Sequence, residues 1–235
     1  MQLSERLTAV AGFVTEGNRL ADIGTDHGYV PIYLVEQGKI PSAIAMDINK
    51  GPLERAKEHI KEYNFTDKIQ VRLSDGLEKL EAGEADTVLI AGMGGNLIVR
   101  ILQNGSKALQ NIKELVLSPH SEIDIVREYL CQNKYEIVEE NMVYDSGKYY
   151  TVIKAIPCEK EVVYMPEELE YGRYMKYGDH KVFSDYVDYE NRKLKELIDN
   201  LSKQSSENAK ERIVQLEYNF KLNEKVREGN GANVR

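Results

Sequence analysis

Apolar positions along the 235-residue chain follow two rhythms, and the first fills its amino-terminal two thirds. Short strand-like segments alternate there with stretches of helical spacing. Arg19 to Ile23 precedes the helix-like run Tyr29 to Val35, Ala43 to Ile48 precedes Pro52 to Tyr63, and Ile69 to Leu73 stands alone. Thr87 to Ala91 precedes Leu97 to Leu102, and Glu114 to Ser118 precedes Ile123 to Asn133. The alternation predicts βαβ units and a parallel, doubly wound α/β sheet. Leu3, Leu7, Val10 and Val14 recur at helical spacing after Ser4, so a capped amphipathic helix is expected ahead of the first strand, covering the sheet or the ligand site. Pro52 fits the first position of its helix, and Asn133 fits a helix stop. Beyond Tyr135 two strands follow one another, Glu136 to Tyr144 and Tyr149 to Ile156, joined by Asp145-Ser-Gly-Lys148, which reads as a β-hairpin.

The second rhythm starts after Pro157. Val187, Leu194 and Leu201 stand seven residues apart with Phe183, Leu197 and Ile198 among them, and Ile213, Leu216 and Phe220 repeat the spacing. This predicts two long helices folded back as an antiparallel coiled-coil hairpin across the polar stretch Gln204 to Asn208, led by a shorter helix around Glu167 to Tyr177. The tail from Gly229 is expected to fray. Residues 1–156 thus read as one α/β domain and 157–235 as a helical appendage, which serves packing or dimerisation, or binds a partner.

Composition narrows the classes. The chain is long enough to bury a sizeable core, and it carries neither a basic-then-apolar leader nor an apolar run long enough to span a bilayer, so a cytoplasmic protein is expected. Cys131 and Cys158 have no metal-type spacing and read as reduced thiols, and no metal is expected. The net charge of −8 weighs against nucleic acid as a partner, yet it says nothing of where lysines and arginines gather.

Candidate chemistry lies at the strand ends. The first strand runs through Asp22 into a turn with Gly24 and Gly28, a geometry in which one glycine permits a tight turn and the other lets a ligand or the next helix approach. Asp26 lies inside that turn. A carboxylate there would repel a pyrophosphate, whereas S-adenosylmethionine has no phosphate and carries two cationic groups, so the methyl donor is favoured over a dinucleotide. Asp47 ends the second strand about twenty residues on, where an acidic side chain accepts from both ribose hydroxyls; helix capping is its other reading. Asp75-Gly76 follows the third strand, either as an acceptor for an adenine amino group or as an ordinary turn. Ala91-Gly-Met-Gly-Gly95 follows the fourth strand at the edge where open α/β sheets bind ligands, with room for a flat substrate. Pro119 and His120 end the fifth strand, and Arg127 on the next helix faces the same edge; all three are candidates to touch RNA.

The strings Ala21-Asp-Ile-Gly-Thr-Asp-His-Gly-Tyr-Val-Pro31, Ala45-Met-Asp-Ile48, Ser74-Asp-Gly76, Ala91-Gly-Met-Gly-Gly95 and the hairpin Glu139 to Tyr150 resemble the bacterial tRNA (adenine(22)-N1)-methyltransferases. The resemblance spans both halves of the chain. It implies a Rossmann-like class I methyltransferase sheet closed by an antiparallel hairpin, a C-terminal coiled-coil domain, S-adenosylmethionine as cofactor and tRNA as partner. It also implies a cofactor site lined by Asp22, Gly24, Gly28, Asp47, Asp75, Gly76, Ala91 and Gly92, to which Thr25 and Ile48 belong as members of the same strings, with the base entering above Met93, Gly94 and Gly95. The family often has Ala in place of Gly28.

Methyl transfer to adenine N1 asks for in-line positioning and for a carboxylate that accepts from the exocyclic amino group. No acid follows the fourth strand, so Asp26 is the candidate; its competing role is the N-cap of the helix starting near Tyr29. His27 orients the base or Asp26, or is structural, and Tyr29 stacks on the adenine or packs in the core. The alternatives from other classes are a methyltransferase for another RNA, a protein or a small molecule, and a non-catalytic adaptor that dimerises through its coiled coil.

Overall fold

The computed structural model describes residues 1–173, 180–204 and 206–232. It divides into two compact units, Met1–Val163 and Tyr164–Arg235. In the first unit α1 (Glu5–Phe13) precedes β1 (Leu20–Ile23), α2 (Tyr29–Glu36), β2 (Ala43–Asp47), α3 (Lys50–Glu62) and β3 (Ile69–Leu73). After these come β4 (Thr87–Met93), α4 (Gly95–Asn104), β5 (Glu114–Pro119), α5 (Ile123–Gln132), β6 (Tyr135–Asp145) and β7 (Lys148–Pro157). Seven strands form one sheet in the order β3-β2-β1-β4-β5-β7-β6. The first five are parallel, and β7 pairs antiparallel with both β5 and β6. The parallel doubly wound sheet with a closing hairpin is therefore as expected.

Local chemistry accounts for the elements. β1 and β5 are buried at every residue, as strands covered on both faces must be. Ser4 caps α1 by accepting from the Leu7 N–H at 3.3 Å, and Val10, Ala11 and Phe13 bury into the core beside Leu20, Val116 and Val152. Ser146 and Gly147 both take positive φ, 51° and 83°, the pair of left-handed residues that a two-residue hairpin turn needs. Pro52 stands at the third position of α3, not the first, because Asn49 occupies the N-cap. A proline is tolerated there since the N–H groups of the first turn have no intrahelical acceptor.

Charged groups anchor the amino end of the sheet and leave the other end for ligands. Glu114 is buried and accepts from the Thr15 N–H and hydroxyl, the Thr87 hydroxyl and, at 3.0 Å, the Lys154 ammonium. Burial pushes its carboxyl up, but these donors together hold it below the ordinary value. Arg127 also belongs to this framework. Its side chain is 1% exposed and its Nε donates to Glu140 at 2.7 Å across from α5 to β6, so it does not face the ligand edge as expected. An arginine on an otherwise apolar helix face is buried only when a carboxylate meets it, and Glu140 on the hairpin supplies that carboxylate.

In the second unit α6 (Pro166–Tyr171) precedes α7 (His180–Leu201) and α8 (Glu207–Ala232). Residues 174–177 of the expected leading helix lie outside the described residues, as does the end of the tail; α8 extends through Gly229 to Ala232. α7 and α8 run antiparallel: Asp188 pairs with Arg227 at 2.9 Å, and the buried Asn191 donates to Asn223 at 2.8 Å. Asn223 in turn donates to the Val187 carbonyl and the Tyr171 hydroxyl, so the buried amide is satisfied and fixes one register. Phe183, Val187, Leu194, Leu216 and Leu222 are buried, whereas Leu197, expected in the seam, is exposed. No helix among the described residues is long and apolar enough to cross a membrane.

Candidate active site

The carboxyl ends of β1, β2, β3 and β4 are stitched by main-chain bonds that bring the glycine and acid motifs to one edge. The Gly24 and Thr25 N–H groups both donate to the Met46 carbonyl, at 2.8 and 2.9 Å, the Ser74 N–H donates to the Asp47 carbonyl at 2.9 Å, and the His120 N–H donates to the Met93 carbonyl at 2.8 Å. Gly24 has φ of 75°, the left-handed region that favours glycine, and the Met93 methyl packs against it. Met93 thus packs over the first turn instead of opening a space above it. Gly28 is the N-cap of α2 in a left-handed conformation, and its nearest side-chain neighbour is Ala56 of α3. The close approach of α3 is one use of this glycine.

The three acids occupy different settings. Asp22 is buried at the end of β1, and its carboxyl is raised to about 6, first by burial, with the Thr25 hydroxyl opposing and the Asp47 charge adding. Asp47 is half-buried; its Oδ1 accepts from the Asn49 N–H at 2.6 Å, a turn-closing bond that leaves Oδ2 free of hydrogen-bond partners among the described residues. Asp75 is exposed, and Gly76 after it has φ of 52° with Ile101 of α4 against its Cα. Beside Asp47 two apolar side chains stand exposed: Ile48, 58% exposed, which follows it in the chain, and Leu73, its partner across β2 and β3. Carboxylates around an exposed apolar strip suit a flat ring carrying hydroxyl, amino and cationic groups. A nucleoside with an ammonium or sulfonium tail fits, since a cation beside the raised Asp22 carboxyl would stabilise its charged form.

Asp26 is not the cap of α2, which has no side-chain cap bond, so the alternative role for this residue is not realised. Its side chain is 76% exposed, with Oδ1 at 3.2 Å from His27 Nε2 and 4.0 Å from Arg55 Nη2. His27 has φ of 61°. Its carbonyl accepts from His59 Nδ1 at 2.9 Å and its Nε2 from Arg55 Nε at 3.3 Å, so the lone pair lies on Nε2. The His27, Tyr29 and His59 rings stack, with centroids 5.1 to 5.4 Å apart. Tyr29 is half-buried within this cluster instead of in the core. Arg55 and His59 were missed at the sequence level, although their spacing of four on a helix that follows Asp47 puts them on one face.

On the other side of the edge, β4 bulges between Ala91 and Met93 relative to β5, and Gly92, with φ of 84°, is the extra residue and is exposed. Ala91 is half-buried beside it. Gly94 caps α4 beside the Ser121 hydroxyl, and Gly95 is buried against the Ser121 and Glu122 main chain, to which its N–H donates at 2.9 Å. These last two glycines therefore join α4 to the loop after β5, and the open position is Gly92. Pro119 ends β5 opposite Met93, and His120 follows it into the site. No cluster of His, Cys, Asp and Glu among the described residues could hold a metal ion.

Residues 3–153 match the family model described as a methyltransferase domain. The chain is 38% identical over 164 residues to the tRNA (adenine(22)-N(1))-methyltransferase of Bacillus subtilis (strain 168), covering 70% of this chain and 69% of that one. Among solved structures, the Bacillus subtilis 1-methyladenine-22 tRNA methyltransferase TrmK superposes with a TM-score of 0.87 at 31% identity over 96% of this chain and 99% of its own. M. capricolum TrmK, in complex with the cofactor product S-adenosylhomocysteine, superposes with a TM-score of 0.83 at 29% identity over 97% of this chain and 99% of its own. A sheet edge lined by acids and glycines in the expected order, on a chain this similar along nearly its whole length, places the protein in the tRNA (adenine(22)-N1)-methyltransferase family.

Proposed function

We propose that this protein is an S-adenosylmethionine-dependent methyltransferase that methylates N1 of adenine 22 in tRNA. The observation that carries the reading is the edge itself, where Asp22, Asp47 and Asp75 flank the exposed Ile48 strip and the open Gly92, in a chain of this family. Residues 1–156 form the catalytic domain in this reading. Residues 157–235 add a helical surface, with Val214 and Tyr218 exposed, for the bulky RNA, a protein partner or a second copy of the chain. Transfer of labelled methyl groups to unmodified tRNA, followed by digestion to nucleosides, tests it; the expected product is 1-methyladenosine.

Within the site Asp22 would face the cationic tail of the donor, Asp47 Oδ2 would accept from the ribose, and Asp75 from the adenine amino group. Thr25, Ile48, Gly76 and Ala91 would complete the lining. When bound, S-adenosylmethionine supplies a methyl group on a sulfonium, open to in-line displacement. The chain's remaining task is to hold N1 in line and to take up the positive charge that develops on the base. Asp26 would accept a hydrogen bond from the exocyclic amino group, with the Arg55 guanidinium beside its carboxylate.

Two consequences concern the donor. Asp47→Ala removes a charged acceptor, so affinity for S-adenosylmethionine is expected to fall by about 1.5 to 3 kcal/mol in calorimetry, with folding intact. The second concerns pH. Because the Asp22 carboxyl is raised to about 6, the folded protein keeps a proton that the unfolded chain releases near pH 4, so its stability falls as pH rises through that window. A cationic ligand reverses the preference by binding the ionised form. The donor's ammonium stays protonated below about pH 7.5, so affinity is expected to rise about tenfold from pH 5 to pH 7, and Asp22→Asn should flatten the profile.

A further inference from the structure

An acidic chain that binds tRNA must gather cations locally, and one arginine stands at the open position of the site with no carboxylate in hydrogen-bond contact with its guanidinium among the described residues. Arg19, Arg72 and Arg127 each end on an acid. The Arg6 guanidinium, on the first turn of α1, ends instead on two neutral groups. Its Nη1 lies 3.4 Å from His120 Nε2, and its Cζ lies 5.3 Å from the centre of the Tyr150 ring. His120 and Tyr150 also contact each other, with ring centroids 5.2 Å apart. Burial, then the charges of Arg6 and Lys148, hold the His120 pKa below its ordinary value, so the neutral ring offers Arg6 a lone pair. The nearby Asp145 is bonded elsewhere, its Oδ2 accepting from the Arg6 main-chain N–H at 3.1 Å and its Oδ1 from the Ser146 hydroxyl at 2.8 Å; these bonds, with the Arg6 charge as a smaller contribution, hold its carboxyl below the ordinary value. The cluster therefore joins α1, the loop after β5 and the hairpin, and it holds the guanidinium in one place.

That place is above Gly92. A Cβ on Gly92 would lie 3.7 Å from Arg6 Nη1 and 3.9 Å from His120 Cε1, so both side chains border the bulge at the end of β4. We propose that Arg6, held by His120 and Tyr150, is a substrate-binding residue that clamps a phosphate of the RNA strand carrying the target adenosine. The assignment rests on the tRNA methyltransferase reading above. A fixed guanidinium fork matches two phosphate oxygens, and phosphate contacts set the register in which a flipped base enters a pocket. Gly92 leaves the space beside it open for that nucleotide.

The test is tRNA binding by the full chain as a function of salt, with S-adenosylhomocysteine affinity measured in parallel. Arg6→Gln is expected to raise the tRNA Kd by about tenfold at low salt and to make the slope of log Kd against log salt shallower by about one ion, while S-adenosylhomocysteine affinity stays as in the parent. Arg6→Lys keeps the charge, so the parental slope is expected to return with only part of the affinity, since the bidentate fork is lost. A folded Arg6→Gln protein with the parental Kd and slope would overturn the assignment of Arg6 alone. An equal loss of S-adenosylhomocysteine affinity would overturn it too, by showing a distorted pocket. A parent protein without salt-dependent tRNA binding would overturn both this assignment and the substrate reading beneath it.

Discussion

Asp26→Asn is expected to slow single-turnover methylation of tRNA by roughly a hundredfold to a thousandfold, the usual loss when one preorganised electrostatic partner is removed. The side chain keeps its size, and α2 is capped by Gly28 with no side-chain bond, so helix stability does not depend on Asp26. Most of the carboxylate is exposed, which makes it reachable by a base and leaves little in the fold that depends on it. Its charge is screened in water; a bound adenine would displace that water and strengthen the contact. Unfolding and donor binding should therefore stay near wild type while turnover collapses. Near-normal turnover would reduce Asp26 to a surface carboxylate beside Arg55.

Arg127→Ala is expected to destabilise the protein by about 3 to 5 kcal/mol, because it leaves Glu140 buried without its main cation. Equilibrium denaturation should register this as a lower midpoint, and Glu140→Gln should also destabilise strongly, since it leaves the Arg127 guanidinium buried without its counter-charge. Replacing both residues with apolar side chains of similar volume should recover much of the loss. A single truncation that leaves stability within about 1 kcal/mol would mean that water reaches the pair, and would reopen a surface role for Arg127.

The parts of the fold that follow from period were legible in the chain. Short apolar-rich segments alternating with helical spacing marked the five parallel strands, and Asp145-Ser-Gly-Lys148 marked the hairpin because two left-handed residues in succession suit a two-residue turn. Site positions at strand ends were legible for the same reason, since a parallel sheet brings its carboxyl ends to one edge. What a side chain does there was less so. Arg127 lies close in sequence to His120 but points inward, because its orientation depends on Glu140, on a strand the periodicity of α5 cannot report. The glycines of Ala91-Gly-Met-Gly-Gly95 read alike, yet one is an open bulge and another packs on the Ser121 and Glu122 main chain. Arg6, Arg55, His59 and Tyr150 were missed because each reaches the edge from an element whose own pattern is that of a covering helix or hairpin.

The most direct measurement compares two otherwise identical unmodified tRNAs, one with adenine 22 and one with guanine there, incubated with the protein and labelled S-adenosylmethionine and then digested to nucleosides. Label should appear as 1-methyladenosine from the first and be absent from the second. Equal labelling of both, or label in any other nucleoside, would contradict the proposed function.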